Sequence, residues 1–184
     1  MFLDMKRCLR AVLALVTFVG ILGVPLMAAA ESMMLPQAQI DVIRQNCTTA
    51  QQTLSQLEKR DAVARINRGR AYDVMVQQVS AFNSRLAYNK VSLPQMVQLT
   101  NDLQSHIDHF RNEYTAYDNT LTSAIRINCK DKPSDFYTFV TQARDQRAAV
   151  GEEVTQLERL SAQYRTELVN YQNTLPAVTG GASQ

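Results

Sequence analysis

The chain's two histidines, His106 and His109, stand three residues apart. With Asp102 and Glu113 they follow steps of four, three and four, so on a helix all four share one face. Two imidazoles flanked by carboxylates are ligands for Zn²⁺ or another divalent ion. The same spacing also suits a solvated stripe of i,i+4 charge pairs, and no second helix offers an obvious matching set.

Three cysteines carry the next chemistry. Cys8 lies in the basic leader, which leaves Cys47 and Cys129 in the remainder. In an oxidising compartment such a pair reads as a disulfide. Two free thiols and an intermolecular bridge are the alternatives. The spacing is not C-x-x-C, which argues against a thioredoxin-like catalyst. Asn46-Cys47-Thr48 fits a glycosylation sequon but falls inside an expected helix, where it reads as coincidence.

Two further groups could serve a partner. Lys59, Arg60, Arg65, Arg68 and Arg70 cluster against Glu58 and Asp61. They suit contact with a partner or an anionic surface, or else a charge-paired helix face. The stretch from Val91 to Asn101 has no charge. An exposed Leu93, Met96 and Val97 there would touch a partner or lipid, and a packed turn would hide them. Catalytic signatures are absent: there is no phosphate loop, nucleophile elbow or H-E-x-x-H. The expectation is a non-enzymatic chain with no cofactor.

The elements that position these residues follow from periodicity. Residues 1–10 hold Lys6, Arg7 and Arg10, and residues 11–30 carry no charge and end in Ala28-Ala29-Ala30. That layout is a secretory signal with cleavage expected after Ala30, or an uncleaved anchor. Either form places residues 31–184 outside the cytosol, secreted or periplasmic. The leader takes three of the 19 basic and one of the 17 acidic side chains, leaving 16 of each. A neutral mature chain lacks the basic footprint of a nucleic-acid binder. Membrane contact is expected only through a retained leader.

After the leader, three helices are expected. The first spans about 37–85, with its seam at Ile40, Ile43, Cys47, Ala50, Leu54 and Leu57. The apolar phase then slips through Asp61, Ala64 and Arg68 and resumes at Tyr72, Met75, Val79, Phe82 and Leu86. This is a stutter or a helix break, with Gly69 the weakest point. The second helix opens at Ser92 as N-cap, in a capping box with Gln95. Its seam runs from Met96 through Thr100, Leu103, Ile107, Phe110, Tyr114, Tyr117, Leu121 and Ala124 to Asn128. The third follows Pro133, with a seam from Phe136 to Leu175 that includes Arg147, Val154, Leu157, Ser161 and Tyr164. Steps of three and four throughout give a heptad pattern.

Short connections make neighbouring helices antiparallel. The fold class is therefore all-α: an elongated antiparallel three-helix bundle, or coiled coil, over 31–175, after a leader at 1–30 and before a disordered tail at 176–184. Cys47 and Cys129 then fall at the same end, several residues out of register unless the first helix stops near Arg85. Binding of a protein partner, self-association or service as a cell-envelope scaffold is the expected mode of action.

The layout of a leader followed by long helices resembles the Skp/OmpH-type periplasmic chaperones, which are basic where this mature chain is neutral. The resemblance implies a holdase. The stretches Arg65-Ile66-Asn67-Arg68-Gly69-Arg70-Ala71-Tyr72, Asn83-Ser84-Arg85 and Asn128-Cys129-Lys130 with Phe136-Tyr137 resemble predicted secreted helical proteins of small-genome bacteria. That group has no assigned function and implies no site residues.

Overall fold

A computed structural model describes residues 35–175. The leader at 1–30, its cleavage point and the tail at 176–184 lie outside the described residues. Three helices account for the described fold: α1 (Gln37–Tyr88), α2 (Pro94–Arg126) and α3 (Pro133–Thr174). They pack as an all-α bundle in which α2 lies against both neighbours. No described helix is long and apolar enough to cross a membrane.

The buried residues show which helix organises the core. On α2 they are Met96, Leu99, Leu103, Ile107, Phe110, Tyr114, Tyr117, Leu121 and Ala124, at helical steps of three and four. A stripe of that spacing forms one continuous face, which α2 turns to both partners. On α3 the buried set includes Phe136, Ala143, Val154, Leu157, Leu160 and Tyr164. The longest helix, α1, buries only Cys47 and Leu86 completely. Its Tyr72, Met75, Val79 and Phe82 are half-buried against the core formed by α2 and α3.

The connections differ from the expected ones in instructive ways. α1 does not break at Gly69 and runs on past Arg85 to Tyr88. Four residues inserted into a heptad locally unwind the supercoil without breaking the helix, so the phase slip is a stutter. The helix ends with Lys90 in the left-handed region (φ 61°). There the Lys90 amide donates to Ala87 O and the Val91 amide to Leu86 O, a Schellman turn. Ser92 is not the cap of α2. Leu93 holds that place with no side-chain cap, and Pro94 supplies the first turn. Proline has no N–H to satisfy there, which lessens the need for a capping hydroxyl.

At the other end, α2 stops at Arg126. Asn128 is therefore not a seam residue. Its Oδ1 accepts from the Lys130 amide at 3.1 Å, shaping the turn into α3. Gln51 of α1 donates to the carbonyls of Ile125 and Ile127 at 2.8 and 2.7 Å. It satisfies acceptors that a helix C-terminus leaves open. Beside it, Cys47 and Cys129 form a disulfide with Cα atoms 5.6 Å apart. The anticipated register gap does not prevent this bond. Cys129 sits in the connection beyond α2, and the α1–α2 pairing shifts along its length from Asn83–Thr100 to Asp61–Tyr117.

Candidate functional site

Three places on the bundle bring polar or exposed groups together. At the first, His106 and His109 lie on the flank of α2 beside the buried Ile107 and Phe110. Both face Glu153 of α3. The His106 Nδ1–H donates to Glu153 Oε2 at 2.6 Å, and His109 Nδ1 lies 3.8 Å from Glu153 Oε1. The imidazole rings stand edge to face, 5.8 Å apart. Ligand atoms of the three residues all lie within 4.8 Å of one another.

This revises the expected ligand set. Asp102 and Glu113 do not join the cluster. Asp102 instead accepts from Gln98 at 2.8 Å. A residue four positions away on the same helix is about 6 Å distant along the axis, whereas Glu153 enters from the facing helix between the two rings. A signal for Glu153 existed in the sequence. Counting twenty residues back from Arg126 reaches His106, and twenty forward from Pro133 reaches Glu153. An antiparallel hairpin places such positions opposite each other.

The second place is the stutter. There Asp61, Arg65 and Arg68 of α1 meet Tyr114 and Tyr117 of α2 and Arg147 of α3 around a cavity of about 330 Å³. Asp61 accepts from Arg147 Nε at 2.6 Å, from Arg147 Nη2 at 3.2 Å and from the Tyr117 hydroxyl at 2.8 Å. Burial alone would raise the Asp61 carboxyl. The hydrogen bonds from Arg147 and Tyr117 and the Arg147 charge outweigh it and hold the carboxyl below its ordinary value. Tyr117 is driven up by burial and by the Asp61 carboxylate that accepts its proton. Tyr114 is pushed up to about 12, chiefly by burial and then by Asp118. The Arg65 guanidinium stacks 5.0 Å from the centroid of the Tyr114 ring. The buried Tyr114 hydroxyl has no hydrogen-bond partner among the described residues.

The third place is the outward face of α1. Val63, Ile66 and Val74 are 59%, 48% and 51% exposed. At 100° per residue they fall on one side of the helix, opposite the half-buried Met75 and Val79. Exposed Lys59, Arg60 and Arg70 interleave with them. None of these three cations enters an ion pair among the described residues. Of the acids nearby, Asp73 pairs with Arg111 of α2, Glu58 accepts from Thr122, and Asp61 accepts from Arg147 and Tyr117.

The hairpin tip is mostly packed. Met96 is 1% exposed and belongs to the core, so it is not a contact for a partner. It occupies the first inward position of α2, where the apolar stripe must begin. Leu93 is half-buried against the same core, and only Val97 is exposed.

No family model matches the chain, and neither a curated protein nor a solved structure matches it.

Proposed function

We propose that this is a non-enzymatic helical bundle of the extracytoplasmic space that holds an acidic protein partner along the outward face of α1. The observation that carries this reading is the mixed stripe of Val63, Ile66 and Val74 with Lys59, Arg60 and Arg70. Three exposed β-branched residues on one side of a single helix offer a strip of apolar surface to a partner. Unpaired cations among them favour a partner that brings carboxylates. Export is supported by the leader pattern and by the Cys47–Cys129 disulfide, since such bonds persist in oxidising compartments. The absence of catalytic motifs in the sequence favours binding over turnover.

The test is a photo-crosslinking residue at Val63 or Ile66 in the native cells, with the captured species identified by mass. The expected product is one acidic protein, and its yield falls at least about tenfold when Lys59, Arg60 and Arg70 become Glu. Lipid as the sole adduct, or capture that survives charge reversal, refutes the assignment.

A second reading, a holdase-like chaperone, draws on the seam between α1 and α3. Met75, Val79, Phe82, Leu103, Tyr164 and Leu168 line a cavity of about 380 Å³ there. Flexible methionine and aromatic side chains adapt to varied apolar clients. Suppression of client aggregation that Met75→Ser/Phe82→Ser abolishes would support this reading. Unchanged client light scattering would dismiss it.

A further inference from the structure

The convergence of His106, His109 and Glu153 carries an inference independent of the partner-binding reading. We infer that these three side chains form a binding site for one first-row transition-metal divalent ion, Zn²⁺ foremost, that ties α2 to α3. Both histidines of the entire chain meet on a single carboxylate. A surface ion pair requires only one of them.

The geometry suits a metal with three protein ligands. The ligand atoms all lie within 4.8 Å of one another. Bonds of about 2.0–2.2 Å to nitrogen and oxygen set the ligand atoms of a tetrahedral site about 3.4 Å apart. His109 must move inward, and it is the most exposed of the three, with its side chain at 59%, whereas His106 and Glu153, 2.6 Å apart, need open by only about 0.8 Å to share one ion. Rotating a half-free ring disturbs no packing. His106 and Glu153 are already held by their mutual hydrogen bond. Glu153 is the least exposed of the set, at 18%. Two elements therefore supply a pair of ligands already in contact and an adjustable third, with a fourth position left for water.

The donor set selects the ion. Two imidazole nitrogens and one carboxylate suit Zn²⁺, Cu²⁺ or Ni²⁺. Ca²⁺ and Mg²⁺ call for oxygen ligands throughout. Ligation at His106 Nδ1 transfers that ring's proton to Nε2, so the neutral imidazole is kept and the Glu153 carboxylate is released to the metal. The two cysteines that could compete are joined in a disulfide, which leaves Cys8 as the one competing thiol.

The experiment is calorimetric titration of the full chain, disulfide intact and Cys8 alkylated, with ZnCl₂. Thermal melts with and without the metal accompany it. One Zn²⁺ per chain and a metal-dependent rise in Tm are expected, with no heat from MgCl₂. His109→Ala, at an exposed position, and Glu153→Gln should each weaken binding at least about tenfold, the loss that follows even from removing an outer-shell partner. Both should erase the Tm rise. Absence of binding heat, or heat that persists in both folded variants, overturns the site.

Discussion

Asp61 of α1 and Arg147 of α3 form a forked pair, with Nε donating to Oδ2 at 2.6 Å and Nη2 to Oδ1 at 3.2 Å. The pair occupies the stretch where the apolar seam of α1 gives way. Asp61 is mostly buried on its side chain, whereas Arg147 is half-exposed. The carboxylate therefore depends on its donors more than the guanidinium depends on its acceptor. Asp61 also receives the hydroxyl of Tyr117, so this one residue links all three helices.

Arg147→Ala should therefore destabilise the bundle by about 1–3 kcal/mol, because it strips a mostly buried carboxylate of two charge-assisted bonds. Asp61→Ala should cost a similar amount, and the double variant clearly less than the sum of the two. Urea unfolding of the four proteins measures the cycle. Additive losses would show that the pair is not coupled.

The same carboxylate predicts an acid dependence. Its pKa in the fold lies below the ordinary value of 3.8. A depressed carboxylate contributes stability that is complete above the unfolded pKa and is lost as pH falls through the folded one. Stability should thus fall below about pH 4. Asp61→Asn should flatten that fall in urea titrations at successive pH values. An unchanged slope would assign the acid sensitivity to other groups.

Two neighbouring tyrosines should respond in opposite directions. Tyr117→Phe removes a made hydrogen bond to Asp61 and should cost about 1 kcal/mol. Tyr114→Phe removes a buried hydroxyl that has no partner and should be neutral or stabilising, by up to about 1 kcal/mol. Thermal melts of the two variants distinguish them. Equal losses would mean that the Tyr114 hydroxyl has a partner in solution.

Gly69 lies inside α1, and a Cβ built there meets nothing within 4 Å. Gly69→Ala should therefore raise stability by about 0.8–1 kcal/mol, the difference in helix propensity. The denaturant midpoint reads this directly. A loss would show that α1 needs flexibility at the stutter.

The seams of α2 and α3 were legible because nearly every step is three or four and the stripe is apolar. Periodicity records burial, and burial is what those helices share. It does not record partners. Asp61 thus read as an interruption, whereas it continues the inward face with a polar contact supplied by α3. Glu153 was missed for the same reason, since a ligand from another helix becomes visible only once the hairpin register is counted out. Met96 read both as the first residue of the α2 seam and as a candidate contact, because an uncharged turn looks the same whether its apolar groups face inward or outward. Only the angular position of Met96 on α2 decides this. The Cys47–Cys129 pairing was legible from cysteine arithmetic, but its geometry depended on a register shift no heptad count contains.

One mass measurement on fractionated native cells decides whether this chain is an exported bundle held by its disulfide. Intact mass is recorded after thiol alkylation, with and without prior reduction. The expected species is an extracytoplasmic product beginning at Glu31 in which Cys47 and Cys129 are alkylated only after reduction. A cytosolic chain retaining Met1, with both thiols alkylated without reduction, would contradict it.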